Sequence, residues 1–342
     1  MDYSRQISLI GPENQQRINK GLVLVLGAGG LGSFVAMALA ASGVKHLVLV
    51  DFDQVSNSNL HRQFLYKLKD VGRPKVAALS EQLQALNPEI NVLIQEKFFD
   101  RELGEVLFPK VDLIVDCLDH MPSKYLASDL AVVYGKALVY GSLYKQTAYV
   151  SCFNYLTPSS LRSAHLRDYF KESKTQADLS CQQVGILNPI VNVCAGMQVD
   201  LALKVLMGKQ GELEDAMQVI GLDRYDIFKL KPSKSRMTRA EVVLLRSRLN
   251  KEIHWEELNG DEVLYTPLKK GDLPEYLSKW NVTCEEELGL EELLSNSSID
   301  RLYVFCKRGI SSLNLISEHS ESFREVEFIN VVGGLETYDK GK

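Results

Sequence analysis

Cysteine is scarce in this chain: six in 342 residues, and no two of them form a C-x-x-C pair. That density excludes a disulfide scaffold, so the thiols are expected to be reduced. It also removes the usual basis for a zinc site made of four cysteines. Positive charge is not in excess. The net charge of −5 disfavours a nucleic-acid partner. No continuous apolar run reaches the roughly 18–20 residues that a membrane helix needs. The opening residues Met1-Asp-Tyr-Ser-Arg-Gln6 are polar and contain no hydrophobic signal region. No membrane partner is expected, and a cytoplasmic location is. Internal repeats and low-complexity segments are also missing. What is present is an ordinary globular composition, 45% hydrophobic and 24% charged, in a chain long enough for one large domain and a smaller one.

Leu22-Val-Leu-Val-Leu-Gly27 is an apolar run ending in glycine, which predicts a strand buried on both faces of a parallel sheet. A helix is expected from Gly30 to about Ser42, closed by Gly43, and a second strand over Lys45–Val50. Together they make one βαβ unit. Lys75–Leu86 reads as a helix stopped by Asn87-Pro88, and 90–95 and 113–116 read as further strands. Residues 137–154 predict two short antiparallel strands turning around Gly141-Ser142. Residues 155–180, polar and without a period, predict a long mobile loop. A helix follows over 188–207, then a late strand over 219–229. Residues 229–239 are basic and read as a solvated linker. The composition shifts after about residue 240, and Leu302–Cys306 reads as a strand running into Lys307-Arg-Gly-Ile-Ser-Ser312.

The glycines Gly27, Gly29, Gly30 and Gly32 between strand and helix allow a tight turn, and the helix N-terminus attracts phosphate oxygens. Asp51, at the end of the second strand, can accept from ribose hydroxyls. Both features fit an NAD-binding fold as well as an ATP-binding one. The next segment discriminates. Asp53 is followed by Ser58-Asn59-Leu60-His61-Arg62-Gln63, and a guanidinium placed just after the ribose carboxylate suits a triphosphate. Lys75 opens a helix and can place a point charge on the same phosphates. Asp119, just past a strand, can hold Mg2+.

Tyr3-Ser-Arg5-Gln6, Gly27-Ala-Gly-Gly-Leu-Gly32, Asp51-Phe-Asp53, Ser58-Asn-Leu-His-Arg-Gln63, Gly72-Arg-Pro-Lys75 and Asp116-Cys-Leu-Asp119 resemble the MoeB/ThiF family of sulfur-carrier adenylyltransferases, relatives of the ubiquitin-activating enzymes. The resemblance covers about residues 3–230. It implies an α/β, Rossmann-like adenylation domain with a mixed, mostly parallel sheet. It also implies ATP contacts from Gly30, Asp51, Ser58 to Arg62, Lys75 and Asp119, with Mg2+ at Asp119, and a homodimer in which Arg5 reaches the partner's pocket. The expected partner is a small ubiquitin-like carrier ending in Gly-Gly.

This chain departs from the family pattern at several points. The two C-x-x-C pairs that usually hold a structural zinc are replaced by Ser160-Leu-Arg-Ser-Ala-His165-Leu-Arg and by Pro232-Ser-Lys-Ser-Arg-Met-Thr238. No zinc is expected, and the 155–180 loop should be less restrained for lack of it. His120 stands where relatives often have Asn, and it retains the capacity to donate to ATP. Lys124 stands where relatives often have Arg. Cys181 lies where relatives place a cysteine able to take the activated carboxyl, with a core role as the alternative. Cys306 and the loop after it resemble a rhodanese active-site loop, and Val331-Val-Gly-Gly-Leu-Glu-Thr-Tyr338 resembles that domain's ending.

The expected organisation is therefore an adenylation domain over 1–230, a linker over 231–245 and a short rhodanese-like α/β domain over 246–342, whose persulfide-bearing Cys306 is either active or degenerate. Cys117 and Cys194 read as core residues. The activity implied is ATP-dependent adenylation of the carrier's terminal glycine, with sulfur transfer to a thiocarboxylate, serving molybdenum cofactor or thiamine synthesis among other pathways. A cysteine desulfurase is the natural sulfur donor. The alternatives are an NAD(P)-dependent oxidoreductase and a family member adenylating a peptide or a tRNA.

Overall fold

The computed structural model describes residues 1–119, 121–170 and 185–248. Of the C-terminal part it describes 251–253, 258, 263–270, 273, 277, 281–284, 288–296, 299–305 and 326–331. The chain divides into two compact units, Met1–Val242 and Val243–Lys342.

The first unit begins with two helices, α1 (Ser4–Ile10) and α2 (Pro12–Lys20), hinged at Gly11. Its sheet is built from β1 (Leu22–Leu26), β2 (His46–Val50), β3 (Asn91–Gln95), β4 (Leu113–Asp116), β5 (Ala137–Tyr144), β6 (Thr147–Phe153), β7 (Met217–Gly221) and β8 (Asp226–Leu230), in the spatial order 3-2-1-4-5-6-7-8. The first five strands are parallel, and β5 to β8 form an antiparallel meander. The sheet is thus mixed and mostly parallel on the side that carries the glycine turn. α3 (Gly30–Ala41), α4 (Lys75–Leu86), α5 (Arg101–Leu107) and α6 (Met121–Tyr134) connect the parallel strands.

β1 and β4 are apolar and buried because helices cover both faces. Val23, Val25, Leu113 and Val115 pack on one side, with α3 and α4. Leu24, Leu26 and Ile114 pack on the other, with α5 and α6. Helix α8 (Asn188–Leu206) is long and apolar enough to cross a membrane by length and composition. It lies instead against α3, β5 and β6, which explains its apolar character on most faces.

Three expectations need correction. The hairpin joining β5 to β6 turns at Lys145-Gln146 and not at Gly141-Ser142, which lie inside β5 opposite Val150 and Tyr149. Gly141 is needed there because the side chain of Gln198 packs onto the space a Cβ would take. The late strand over 219–229 is two strands, β7 and β8, joined by a turn in which Tyr225 takes φ 56°.

The third correction concerns residues 155–180. Tyr155 and residues 163–168 are buried around a largely exposed turn over 156–162, and 171–184 lie outside the described residues. Asn154 donates to the carbonyls of Ala131 and Lys136, and Tyr155 is buried. α7 (Leu166–Tyr169) is closed by a capping box in which Asp168 accepts from the His165 N–H. Arg167 makes a two-pronged pair with Asp129 at 2.8 and 2.9 Å and lies over the Tyr125 ring.

The same Asp168 fastens the basic segment read as a linker: Met237 N–H donates to Oδ1 at 3.0 Å, and Ser233 N–H donates to the Asp168 carbonyl at 2.7 Å. Arg236 pairs with Asp215, whose other oxygen accepts from Ala164 N–H. One buried carboxylate, one partly exposed ion pair and backbone groups therefore join the two segments in which the family pattern would place its cysteines. α9 (Arg239–Arg248) follows directly.

The second unit holds a five-stranded, all-parallel sheet: β9 (Lys251–Ile253), β10 (Val263–Thr266), β11 (Asn281–Cys284), β12 (Arg301–Val304) and β13 (Glu327–Val331), in the order 11-10-12-13-9. Leu264, Tyr303, Ile329 and Val331 line one face, and Tyr265, Leu302, Val304 and Phe328 line the other, where α10 (Leu290–Asn296) contributes Leu293 and Leu294. Both faces are covered, as a parallel sheet requires. β12 runs into buried Phe305; Cys306, Lys307, Arg308 and the segment 332–338 lie outside the described residues, as do His120 and Cys181.

Candidate functional site: a nucleotide crevice at the carboxyl ends of the strands

In an open α/β sheet, ligands bind where the strand order reverses, which here is between β1 and β4. The chain leaves β1 at Gly27, whose φ of +89° suits glycine and whose Cβ would stand 2.7 Å from the Cys117 carbonyl oxygen. It then enters α3, where a Cβ on Gly32 would collide with the Gly27 carbonyl. The glycines are thus fixed by the close approach of β1, β4 and α3, and the N-terminus of α3 opens into the crevice.

Asp51 anchors this turn from β2. Its Oδ2 accepts from Ala28 N–H at 2.6 Å, and its Oδ1 from Asp53 N–H at 2.7 Å. Burial pushes its carboxyl above the ordinary aspartate value; Lys75 opposes the shift and Asp53 adds to it. Lys75 begins α4, is 5% exposed, and donates from Nζ to Asp53 Oδ2 at 2.9 Å. Burial works against its charge, but Asp51 and Asp53, with a contribution from Asp119, outweigh it and hold the ammonium above its ordinary pKa. The ammonium therefore stays charged among carboxylates from β2 and β4. Asp119 itself is exposed after β4.

Residues 58–63 fold as a turn over the glycines. Arg62 and Gln63 N–H both donate to the Asn59 carbonyl, and the Arg62 carbonyl lies 3.2 Å from where a Gly30 Cβ would stand. The Arg62 guanidinium folds back on its own turn, donating to the Ser58 carbonyl at 3.2 Å and lying 2.8 Å from the His61 ring. Ser58 Oγ pairs with Ser56, and Leu60 packs against the core. Gln63 is 4% exposed, with Nε2 against Gly29, and its Oε1 has no hydrogen-bond partner. A buried carbonyl oxygen left unpaired beside a phosphate-type turn fits a site completed by a ligand with a donor.

The structure thus brings together Gly27–Gly32, Asp51, Asp53, Gln63, Lys75 and Asp119, with Arg62 at the rim. It does not bring Arg5 there. α1 packs by Gln6 on the Ser42 carbonyl, at the end of the sheet where β2 starts, away from the end that carries Asp51.

Two features were not anticipated. Lys124 on α6 is buried. It bonds both Asp116 oxygens and the Gly141 carbonyl, and lies 4.7 Å from the Tyr140 ring centroid. Gln198 donates to the Asp116 carbonyl at 2.9 Å. The end of β4, from which Asp119 projects, is thereby held from α6, β5 and α8. The second feature is Tyr66, whose hydroxyl donates to the Ala28 carbonyl at 2.7 Å. Cys117, Cys152 and Cys194 are buried, and burial pushes each thiol pKa up, so none is a ready nucleophile.

A glycine turn, a carboxylate anchoring it from the end of β2 and a buried lysine at the switch point of a 3-2-1-4-5 sheet are the marks of a nucleotide-binding α/β protein. The comparisons narrow the class. Residues 3–241 match the ThiF family, and the chain belongs to it.

It is 38% identical over 209 residues to the sulfur carrier protein adenylyltransferase of Thermus thermophilus, covering 60% of this chain and 77% of that protein. A second relative is the adenylyltransferase and sulfurtransferase MOCS3 of Anopheles gambiae, 27% identical over 384 residues, covering 99% of this chain and 86% of that protein. Against MoeZ of Mycobacterium tuberculosis, a probable adenylyltransferase/sulfurtransferase, the match is 36% and spans 53% of the relative. Among solved structures, E. coli MccB with ATP superposes with a TM-score of 0.58 at 23% identity, covering 68% of this chain and 72% of that one, and so shares the fold.

Proposed function

We propose that this chain is an ATP-dependent adenylyltransferase that activates the C-terminal glycine of a small ubiquitin-like sulfur carrier. The observation that carries the reading is the buried, charged Lys75, paired with Asp53 beside a glycine turn. A nicotinamide dinucleotide has no need of a buried ammonium at that place, whereas a triphosphate does. The relatives named as sulfur carrier adenylyltransferase, MoeZ and MOCS3 support the same activity.

The backbone N–H groups of the turn and the start of α3 take phosphate oxygens. Asp51 keeps acceptor capacity for ribose hydroxyls. Lys75, and Arg62 swung in from its own turn, neutralise charge as pyrophosphate departs. Asp119 would hold Mg2+, which supplies further charge neutralisation when bound. The carrier's carboxylate oxygen forms a bond to the α-phosphorus while the bond to pyrophosphate breaks. The nucleophile is already an anion, so no base has to remove a proton, and catalysis is positioning plus electrostatics.

Arg5, exposed on α1, acts in the pocket of a second copy in a homodimer. Cys181 takes the activated carboxyl as a thioester, with AMP as the leaving group, and the second unit carries sulfur at Cys306 as a persulfide received from a cysteine desulfurase. The setting is cytoplasmic, in molybdenum cofactor or thiamine synthesis. Thermal melting tests the nucleotide assignment. ATP with Mg2+ should raise the melting temperature and NADH should not; stabilisation by NADH alone would overturn it.

A further inference from the structure

The Tyr66 hydroxyl lies between the two halves of the phosphate site. It is 2.7 Å from the Ala28 carbonyl oxygen in the glycine turn and 3.3 Å from the Lys75 carbonyl oxygen at the start of α4. Following the bonds outward gives a closed circuit. Ala28 N–H donates to Asp51 Oδ2, Asp53 N–H donates to Asp51 Oδ1, and Lys75 N–H donates to the Asp53 carbonyl at 2.9 Å. Lys75 Nζ closes on Asp53 Oδ2 at 2.9 Å. Residue Ala28 is therefore held on both sides, its N–H by a carboxylate and the carbonyl it shares with the Gly29 peptide by a phenol. Tyr66 is the one side chain in the circuit that touches the glycine turn and the Lys75 helix directly.

Tyr66 is 2% exposed and Ala28 is 1% exposed, so water does not readily replace the hydroxyl. A buried carbonyl that loses its donor is costly to leave unpaired, and the peptide rotates to find another. Rotating the Ala28–Gly29 peptide swings the Gly29 N–H, one of those the turn would present to phosphate. The distance between those donors and the Lys75 ammonium is what a transferring phosphate must match.

We propose that Tyr66 is a positioning residue that sets the glycine turn and Lys75 in register for the nucleotide triphosphate, its single O–H proton donated to the Ala28 carbonyl and shared with the more distant Lys75 carbonyl. The inference rests on the adenylation reading for its ligand, but it is measurable on nucleotide binding alone.

The test is a double-mutant cycle on the dissociation constant for ATP with Mg2+, using full-length chain, Tyr66→Phe, Lys75→Met and the double variant, with melting temperatures recorded for each. Tyr66→Phe deletes one oxygen and should raise the dissociation constant about five- to tenfold. In the Lys75→Met background the same change should add less than about twofold, because the register it maintains has lost its second member. A residue with a merely structural role would lower the melting temperature and cost the same factor in both backgrounds. Equal factors, or a Tyr66→Phe constant within twofold of the unaltered chain, would overturn the inference and leave the adenylation reading standing. No ATP binding by the unaltered chain would overturn both.

Discussion

Lys124 Nζ lies 3.2 and 3.1 Å from the two carboxylate oxygens of Asp116, and both residues are buried. Removing one member leaves an uncompensated charge in the core, which costs about 3–5 kcal/mol. Lys124→Met should therefore lower the melting temperature by roughly 10 °C, at about 2–4 °C per kcal/mol for a domain of this size. Lys124→Met combined with Asp116→Leu leaves no unpaired charge and should recover much of the loss. Calorimetry of the three proteins checks this; a single variant as stable as the parent would contradict it.

Gln63 separates stability from binding. Its Oε1 is buried without a partner, so Gln63→Leu should leave the melting temperature unchanged or raise it slightly. The same substitution should weaken ATP binding about two- to tenfold, the loss expected for one neutral hydrogen bond donated by a ribose hydroxyl or the adenine amine. Titration calorimetry beside a melting curve reads both. Equal losses in the two would show that the side chain serves packing.

Burial lowers the pKa of His165 from its ordinary value, with Asp168 and Asp129 opposing the shift. The folded chain thus binds fewer protons at this site than the unfolded chain. The contribution of His165 to stability is intact above about pH 6.5 and declines as pH falls from there toward the lowered folded value. Melting temperatures from pH 8 to 5.5 should fall less steeply on the acid side for His165→Asn than for the parent. Parallel curves would contradict the assignment.

Asp168 holds the 233–237 segment by a side-chain and a main-chain bond. Asp168→Ala should expose that segment, and trypsin should cleave after Lys234 or Arg236 at least about tenfold faster, in line with a loss of 1–3 kcal/mol in local opening. Unchanged cleavage would show that other contacts hold it.

The local patterns were legible in the sequence. Leu22–Leu26 is a continuous apolar run, and Lys75–Leu86 has a helical period with a clear stop at Asn87-Pro88, so both elements could be read from neighbouring residues. The glycines and the segment from Asp51 to Gln63 located the crevice for the same reason. What escaped depends on distant partners. Gln198 lies 82 positions from Asp116, to whose carbonyl it donates, and its packing on Gly141 makes that glycine a strand residue where sequence alone reads a turn. The buried stretch 163–168 looks irregular because its order comes from Asp129 and from residues 233–237. Tyr66 carries no local signal: its role exists only where Ala28 and Lys75 meet.

The most direct measurement is exchange of labelled pyrophosphate into ATP in the presence of a purified ubiquitin-like carrier. The account predicts exchange that requires the carrier's terminal glycine and disappears in Lys75→Met and Arg62→Ala. Absence of exchange with every Gly-Gly-ended carrier encoded beside this chain, or exchange unaffected by loss of Lys75, would contradict it.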